Sequence, residues 1–371
     1  MSLIEKALKV PHSYNAPIVE DYESSLPVLS IHIDAFYNVE YTKQAVESVL
    51  NQTYPNVELI LVDNGANNDI KEYLSSIYAS QDNVALICFP ENQFSWDDTE
   101  KSCAICYNVA LYYANGKYIS HLAYDDKISL DYAEKIISLF LENKNCLTAA
   151  PMPYSINSLG EIRSSGEASN QRDRYSNGFE IAIDHLKGKP RKLFAAPGEI
   201  FVIERKFLIK QGGYDRLLDI SQVLKCVAFG ISGYASDAKL FWRHHPEQLN
   251  KQAKRRGNIW YQYKIDSFSE SGCQKLWLDT FGAEDNLLLS RYLNNSLETS
   301  VLNVLKENFF LLNYSVVLLN WKNILRECPL NLIIKAILVS VIEVILVPYR
   351  ILRTYLSKNI SLEFKDSIKL F

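Results

Sequence analysis

Two carboxylate-bearing segments, Val62-Asp63-Asn64-Gly65 and Leu122-Ala123-Tyr124-Asp125-Asp126, each follow directly on an apolar run. Carboxylates placed at such run ends suit a divalent cation such as Mg2+ or Mn2+. These ions take oxygen ligands and, bridging a diphosphate, offset the charge that develops on a departing nucleotide. Asp125 is the first candidate ligand. An Asp-Asp pair after a strand also serves as a helix N-cap or turn, because Asp accepts hydrogen bonds from free N–H groups. Cys103 and Cys106 have the spacing of a metal or redox pair. No second pair accompanies them, and they fall in a helical stretch where packing is the expected role. Trp96-Asp97-Asp98 stands before a helix, as a cap does. Trp242 and Trp260 suit core or interface positions as well as sugar stacking.

The elements that position these residues alternate. Short β-branched runs at residues 28–33, 57–62, 84–89, 118–122 and 147–152 are separated by helical stretches. That rhythm predicts an α/β fold with a largely parallel sheet and crossover helices. Ala45, Val46, Val49 and Leu50 share one face of a helix over 41–51, and 99–114 and 130–142 read the same way. Ligands of open α/β sheets bind beyond the carboxyl ends of strands, so the loops after Ile33, Val62 and Leu122 are where chemistry is expected. Residues 154–191 turn polar and lose periodicity, which predicts a long functional loop or lid. A turn feeds a strand over 196–203, a helix-like stretch covers 220–229, and long helical stretches dominate after about residue 250. The division that follows is an N-terminal arm (1–25), an α/β catalytic domain (26–250), a helical region (251–330) and an amphipathic C-terminal segment (331–371).

At 371 residues the chain exceeds the usual single domain, and 48% apolar against 22% charged residues describes a globular chain with a sizeable core. A net charge of −4 and a pI near 5.9 lack the basic footprint of a nucleic-acid binder. Seven scattered cysteines do not resemble a secreted disulfide framework and fit a reducing cytoplasm. Glu5, Lys6 and Lys9 interrupt any signal-peptide-like apolar run at the N-terminus. The most apolar stretch, 332–347, carries Lys335, Ser340 and Glu343 and is closed by Pro348. It is too short and too charged to span a bilayer. At about 100° per residue its polar positions fall within an arc of about 140°, leaving a broad apolar face. Arg350, Arg353 and Lys358, with Tyr349 and Tyr355, suit a helix in an anionic membrane interface, so that the protein would sit peripherally at the inner face of the cell membrane. The other arrangement buries this helix against the catalytic domain or a twin subunit in a homodimer.

Residues 29–126 resemble the nucleotide-binding half of the family 2 glycosyltransferases, inverting enzymes of bacterial glycan assembly with the GT-A fold, a Rossmann-like sheet flanked by helices. The segments that carry the likeness are Val46-Glu47-Ser48-Val49-Leu50-Asn51-Gln52-Thr53-Tyr54-Pro55-Asn56, Glu58 through Gly65, Tyr107-Asn108-Val109-Ala110, and Asn115-Gly116-Lys117-Tyr118-Ile119 leading to Asp125-Asp126. It continues more weakly through Pro197-Gly198 and Gly212-Gly213-Tyr214-Asp215 to Phe241-Trp242-Arg243-His244-His245-Pro246. The resemblance implies that Asp63 contacts the nucleotide base, typically uracil, and that Asp125 binds metal and diphosphate. Asp126 would orient the donor sugar or the metal shell, with Tyr124 and Asn108 also in the donor site. His245 would be a metal ligand or phosphate donor.

Four departures from the family pattern bear on these roles. The first strand runs into Asp34-Ala35-Phe36-Tyr37-Asn38, so Phe36 or Tyr37 supplies any aromatic contact to the base and Asp34 is an extra polar contact. Asn64 stands where the family has a second Asp, and Ala123 where the metal motif has its first. The stretch after Tyr214-Asp215 reads Arg216-Leu217-Leu218-Asp219-Ile220-Ser221-Gln222, which leaves Asp219 as the candidate catalytic base. Inversion requires a base because the attacking acceptor hydroxyl must lose its proton as the new bond forms. The expected activity is metal-dependent sugar transfer from a nucleoside diphosphate sugar, UDP-sugar favoured, to a glycan or lipid-linked acceptor. One rival is a catalytically impaired binding or scaffold subunit, suggested by Ala123. The other is a nucleotidyltransferase, which would need a Gly- and Arg/Lys-rich phosphate loop that residues 33–41 lack.

Overall fold

The computed structural model describes residues 1–17, 25–95, 98, 100–165, 173–188, 201–248, 261–310 and 313–367. The chain opens with helix α1 (Leu3–Leu8), whose N-terminus is closed by a capping box between Ser2 and Glu5, and strand β1 (Ser13–Asn15). A strand-helix succession follows through β2 (Leu29–Ala35), α2 (Val39–Leu50), β3 (Val57–Asn64), α3 (Asn68–Ser80), β4 (Val84–Phe89), α4 (Lys101–Tyr113) and β5 (Tyr118–His121). Then come β6 (Lys127–Ile128), α5 (Tyr132–Glu142), β7 (Cys146–Ile156), β8 (Ile162–Ser165), β9 (Tyr175–Asn177) and α6 (Gly178–Leu186). Strand β10 (Val202–Glu204), α7 (Arg205–Lys210), the short α8 (Asp219–Ser221) and β11 (Ile231–Arg243) complete the sheet. The remaining helices are α9 (Tyr261–Glu270), α10 (Cys273–Phe281), α11 (Ala283–Phe310), α12 (Tyr314–Glu327) and α13 (Leu330–Ser367). Two compact units divide the chain: residues 1–95, 100–246 and 262–292 in the first, and 96–99, 247–261 and 293–371 in the second.

In the sheet the strand order is β1-β4-β3-β2-β5-β10-β7-β11-β6, with β8 on β7 and β9 on β11. β4, β3, β2 and β5 are mutually parallel, as are β7 and β11, and antiparallel β10 joins the two halves. Every residue of β2 and β3 is buried, as parallel strands covered on both faces require. The chain lays β3 and then β4 on one side of β2 and returns to place β5 on the other. That reversal is a topological switch point, and it opens a crevice beyond the carboxyl ends of β2, β3 and β5.

The core strands stand where the apolar runs lie, with β2, β3 and β7 reaching further than their runs. Of the stretch 154–191, residues 166–172 and 189–191 lie outside the described residues, and the rest departs from the loop expected there. β7 continues to Ile156, and Asn157 accepts the N–H groups of Leu159 and Glu161, each at 3.0 Å, to turn the chain into β8. Asn157 and Gly160, which break the periodicity there, are turn residues of a hairpin. β9 and α6 follow. The helix-like stretch 220–229 is irregular: α8 passes into a π-helical turn over Gln222–Cys226 and a 3-10 turn over Val227–Phe229. Pro348 does not close the last helix, since α13 runs through it to Ser367. The N-terminal residues supply β1, an antiparallel edge on β4, and α1, which packs on α4.

Under the switch point lies a buried imidazole pair. His32 on β2 is register partner to His121 on β5, with ring centroids 4.8 Å apart, and His121 stacks on Tyr107 of α4 at 3.9 Å. Neither ring makes a hydrogen bond among the described residues. Burial drives the pKa of His32 down to about 3 and that of His121 well below its ordinary value. A depressed folded pKa means that the unfolded state binds the proton first, so the stability held above the unfolded value near 6.5 is lost as pH falls toward 3. The buried carboxyls Asp34 and Asp126 are shifted upward and act with the opposite sign, so His32 is isolated by comparison with a variant. His32→Leu should gain on the parent by about 1.4 kcal/mol for each pH unit below about 6.5. Urea unfolding at pH 7 and pH 5 reads this directly, and a pH-independent difference would show that the ring is not held neutral.

Candidate active site

Three strand ends form the crevice. At the end of β3, Asp63 is 5% exposed and its Oδ1 accepts the N–H of Ala66 at 2.8 Å, which fixes the carboxylate at the crevice floor. Burial raises its pKa, while the Ala66 bond and the charge of Lys71 oppose the rise. Asn64 is fully buried, and its Oδ1 accepts the N–H of Gln93 at 2.8 Å, pinning the loop after β4. Gly65 takes φ 58°, and a Cβ there would fall on the backbone of Asn92, so only glycine allows the two loops to meet. At the end of β2, Asp34 points toward Cys106 of α4. Burial lifts its pKa to about 7; Cys106 and Asn64 oppose the shift and the charge of Asp63 adds to it. Phe36 stacks with Phe94 at 6.1 Å and meets Tyr124 edge-on at 5.7 Å, an aromatic cluster at the crevice mouth beside the exposed Tyr37.

The third strand end turns on Arg243, the last residue of β11. Its side chain is buried, and Nε donates to the carbonyl of Asp125 at 2.6 Å, Nη1 to that of Ser158 at 3.1 Å and Nη2 to Gln44 Oε1 at 2.7 Å. The guanidinium also lies over the Tyr41 ring at 4.6 Å. Its backbone N–H donates to Asp126 Oδ1 at 2.8 Å. Asp126 is therefore turned inward, 3% exposed, with a pKa raised well above the carboxylate range by burial first and by Asp125 second. Two residues on from Arg243, His245 Nε2 stands 2.9 Å from Asp125 Oδ2, with its ring 5.1 Å from Tyr41. Asp125 keeps 15% of its side chain exposed.

Asp125 and His245 fit a cation carried by a ligand. An octahedral ion with bonds of about 2.1 Å has an edge of about 3 Å, so atoms 2.9 Å apart suit two neighbouring positions. Among the described residues no group of three His, Cys, Asp or Glu forms a closed cage. Asp125 and His245 would hold such an ion together with oxygens of the ligand that carries it.

Of the residues singled out in the sequence, Asp63, Phe36, Tyr124, Asp125 and His245 come to the strand ends. Asn108 does not face the crevice. It is fully buried, its Nδ2 donates to the carbonyls of Ala104 and Tyr214, and its Oδ1 accepts the N–H of Tyr214 at 2.8 Å. It ties α4 to the Gly212-Gly213-Tyr214-Asp215 turn, where Gly213 (φ 79°) leaves room for its Oδ1. The same turn is held by Lys225, which pairs with Asp215 at 2.9 Å in full burial and donates to the Gly213 carbonyl. Asp219 begins α8, and its side chain lies outside the described residues. Leu218 before it takes φ 41°, ψ −100°, a conformation costing about 1–3 kcal/mol that persists where the surroundings impose it. Trp96, Asp97 and Trp260 lie outside the described residues. Cys106 packs in the core. Sequence reasoning passed over Phe94, Gln44, Tyr41 and the part played by Arg243. Arg243 alone carried a signal, two residues before His245.

A family model described as "Glycosyltransferase like family 2" matches residues 31–222. Among curated proteins, an uncharacterized glycosyltransferase of Haemophilus influenzae is 36% identical over 125 residues, 33% of this chain and 46% of that one. The hyaluronan synthase of Pasteurella multocida is 26% identical over 160 residues, 43% of this chain and 16% of that protein. The minor teichoic acid biosynthesis protein GgaB of Bacillus subtilis is 26% identical over 246 residues, 63% of this chain and 25% of that protein. The matches thus span from 16% to 46% of these relatives. Of solved structures, S. aureus TarS is similar with a TM-score of 0.47 at 13% identity, covering 76% of this chain and 48% of that one.

Arg243→Lys keeps the charge but cannot serve three acceptors in a planar fork. It should lower stability by about 2–4 kcal/mol, the range expected when charged hydrogen bonds are lost from a buried site. Equilibrium urea unfolding checks this through a shifted midpoint at unchanged slope, and a loss below about 0.5 kcal/mol would show that the network contributes little.

Proposed function

Because the chain belongs to the glycosyltransferase family 2-like family, whose model covers just over half of it, we propose that it is a sugar transferase. Its donor is a nucleoside diphosphate sugar, UDP-sugar favoured, and it transfers with inversion to a glycan or lipid-linked acceptor. The observation that carries this reading is the pairing of Asp125 with His245 at the switch-point crevice that also holds Asp63. The base of the donor lies against Phe36, Phe94 and Asp63, where the fixed carboxylate accepts an N–H of uracil. The diphosphate lies toward Asp125 and His245, which would hold Mn2+ or Mg2+; such an ion, when bound, supplies positive charge to the departing nucleoside diphosphate. Asp126 stays buried and orients the turn beneath. Relatives named for hyaluronan and teichoic acid synthesis support a glycan acceptor, and a lipid-linked one fits a protein at the inner membrane face.

Transfer needs one proton moved. The acceptor hydroxyl attacks the anomeric carbon as its bond to the diphosphate oxygen breaks, and the hydroxyl proton passes to a carboxylate. Asp219 is the proposed acceptor of that proton. The strained Leu218 and the π-helical turn after Ser221 support a functional role for this corner. Asp219→Asn should lower transfer by at least about 100-fold while leaving UDP affinity unchanged by calorimetry; near-normal transfer by that variant refutes the assignment.

Ala123, standing where a metal-motif carboxylate is expected, favours one second reading, a binding or scaffold subunit without turnover. A panel of nucleotide sugars assayed with Mn2+ and with EDTA separates the two. The enzyme reading expects UDP-sugar turnover that EDTA abolishes and Mn2+ restores. UDP binding without turnover of any donor would favour the scaffold.

A further inference from the structure

Helix α13 presents the wrong face to water. Its inward stripe runs through Leu332, Ala336 and Glu343, which are 3%, 0% and 5% exposed. Two of its polar side chains engage the neighbouring helices of the same unit. Lys335 Nζ pairs with both Glu298 oxygens of α11 at 2.6 and 2.7 Å, and Ser340 Oγ accepts the Trp321 Nε1–H of α12 at 3.1 Å. The outward stripe, Leu330, Ile334, Leu338, Val341, Ile345 and Tyr349, repeats every three or four residues and is 50% to 72% exposed. Leu318 and Leu325 of α12 are exposed as well, at 70% and 62%. A helix stable against water points its polar residues out and its aliphatic ones in. This one exposes an aliphatic stripe over about five turns while it buries Glu343, and its apolar surface goes beyond the scattered single residues that a soluble monomer shows.

We propose that this face is a docking surface for an anionic lipid bilayer, on which α12 and α13 lie in the plane of the membrane. Two observations select lipid over a protein partner. The stripe is aliphatic and lacks the Trp, Met and Arg anchors that concentrate in protein interfaces, with only Tyr349 at its end. Arg350, Arg353 and Lys358 follow it at once in a chain whose net charge is −4, a local basic run suited to anionic headgroups. No helix among the described residues is long and apolar enough to cross a membrane. Charged Glu343 and Lys335 within the apolar run fit a helix that lies in the interface rather than one that spans it. The service this docking performs, holding the enzyme beside a lipid-linked acceptor, rests on the glycosyltransferase reading. The docking itself does not.

Flotation of the full chain with vesicles of phosphatidylcholine, alone or with phosphatidylglycerol, tests the inference with no donor present. The protein should float with the anionic vesicles, and 0.5 M salt should weaken that binding. Ile334→Asn/Ile345→Asn alters only the outward stripe and should reduce the floated fraction at least about tenfold, with the helical circular dichroism unchanged. Three results would overturn the proposal: a parent chain that floats with neither vesicle, a double variant that floats as well as the parent, or a parent dimer that the double variant converts to monomer while neither floats. A protein that floats yet transfers no sugar overturns the proposed function and leaves this one standing.

Discussion

The guanidinium of Arg243 gathers three chain segments remote in sequence, the loop at Asp125, the turn at Ser158 and helix α2 at Gln44, around one charge without exposure to water. A buried cation is costly unless its donors are met, and here carbonyls, an amide oxygen and an aromatic face meet them. The consequence is local order where the chemistry needs it. With its main chain held by Arg243, Asp125 has its carboxylate free to face His245, while the backbone of the same arginine turns Asp126 inward. Two adjacent aspartates thereby receive different environments, one partly open and facing His245 and one buried and shifted toward its neutral form.

The crevice itself follows from the sheet. Parallel strands with both faces buried bring their carboxyl ends into one row, and the reversal of strand order at β2 and β5 leaves a gap above them. Buried polar residues hold this frame. Asn64 fastens the β4 loop, Asn108 joins α4 to the turn at Tyr214, and the Asp215–Lys225 pair closes that turn from below. Folding takes these groups out of water and gives each a fixed protein partner in its place, which is the condition for keeping polar groups in a core.

What could be read from the sequence was what periodicity and local order encode. The runs behind β2 to β5 and β7 carry β-branched residues at strand length, and Asp63 and Asp125 are legible because they follow such runs directly. The β7–β8 hairpin was hidden because turn residues and loop residues are the same types, and β1 and α1 because three to six residues hold too little pattern. Arg243 and Phe94 depend on contacts across the sheet that no spacing records. The polarity of α13 was legible as an apolar face, but which partners Lys335 and Ser340 find is a tertiary fact, settled by Glu298 and Trp321.

Crystals grown with UDP and Mn2+, measured at the manganese absorption edge, bear most directly on the claim that the strand ends form one donor site. The account predicts a single anomalous peak within about 2.2 Å of Asp125 Oδ2 and His245 Nε2, with diphosphate oxygens on its open side and uracil hydrogen-bonded to Asp63. UDP bound away from Asp63, or manganese bound without Asp125, would contradict it.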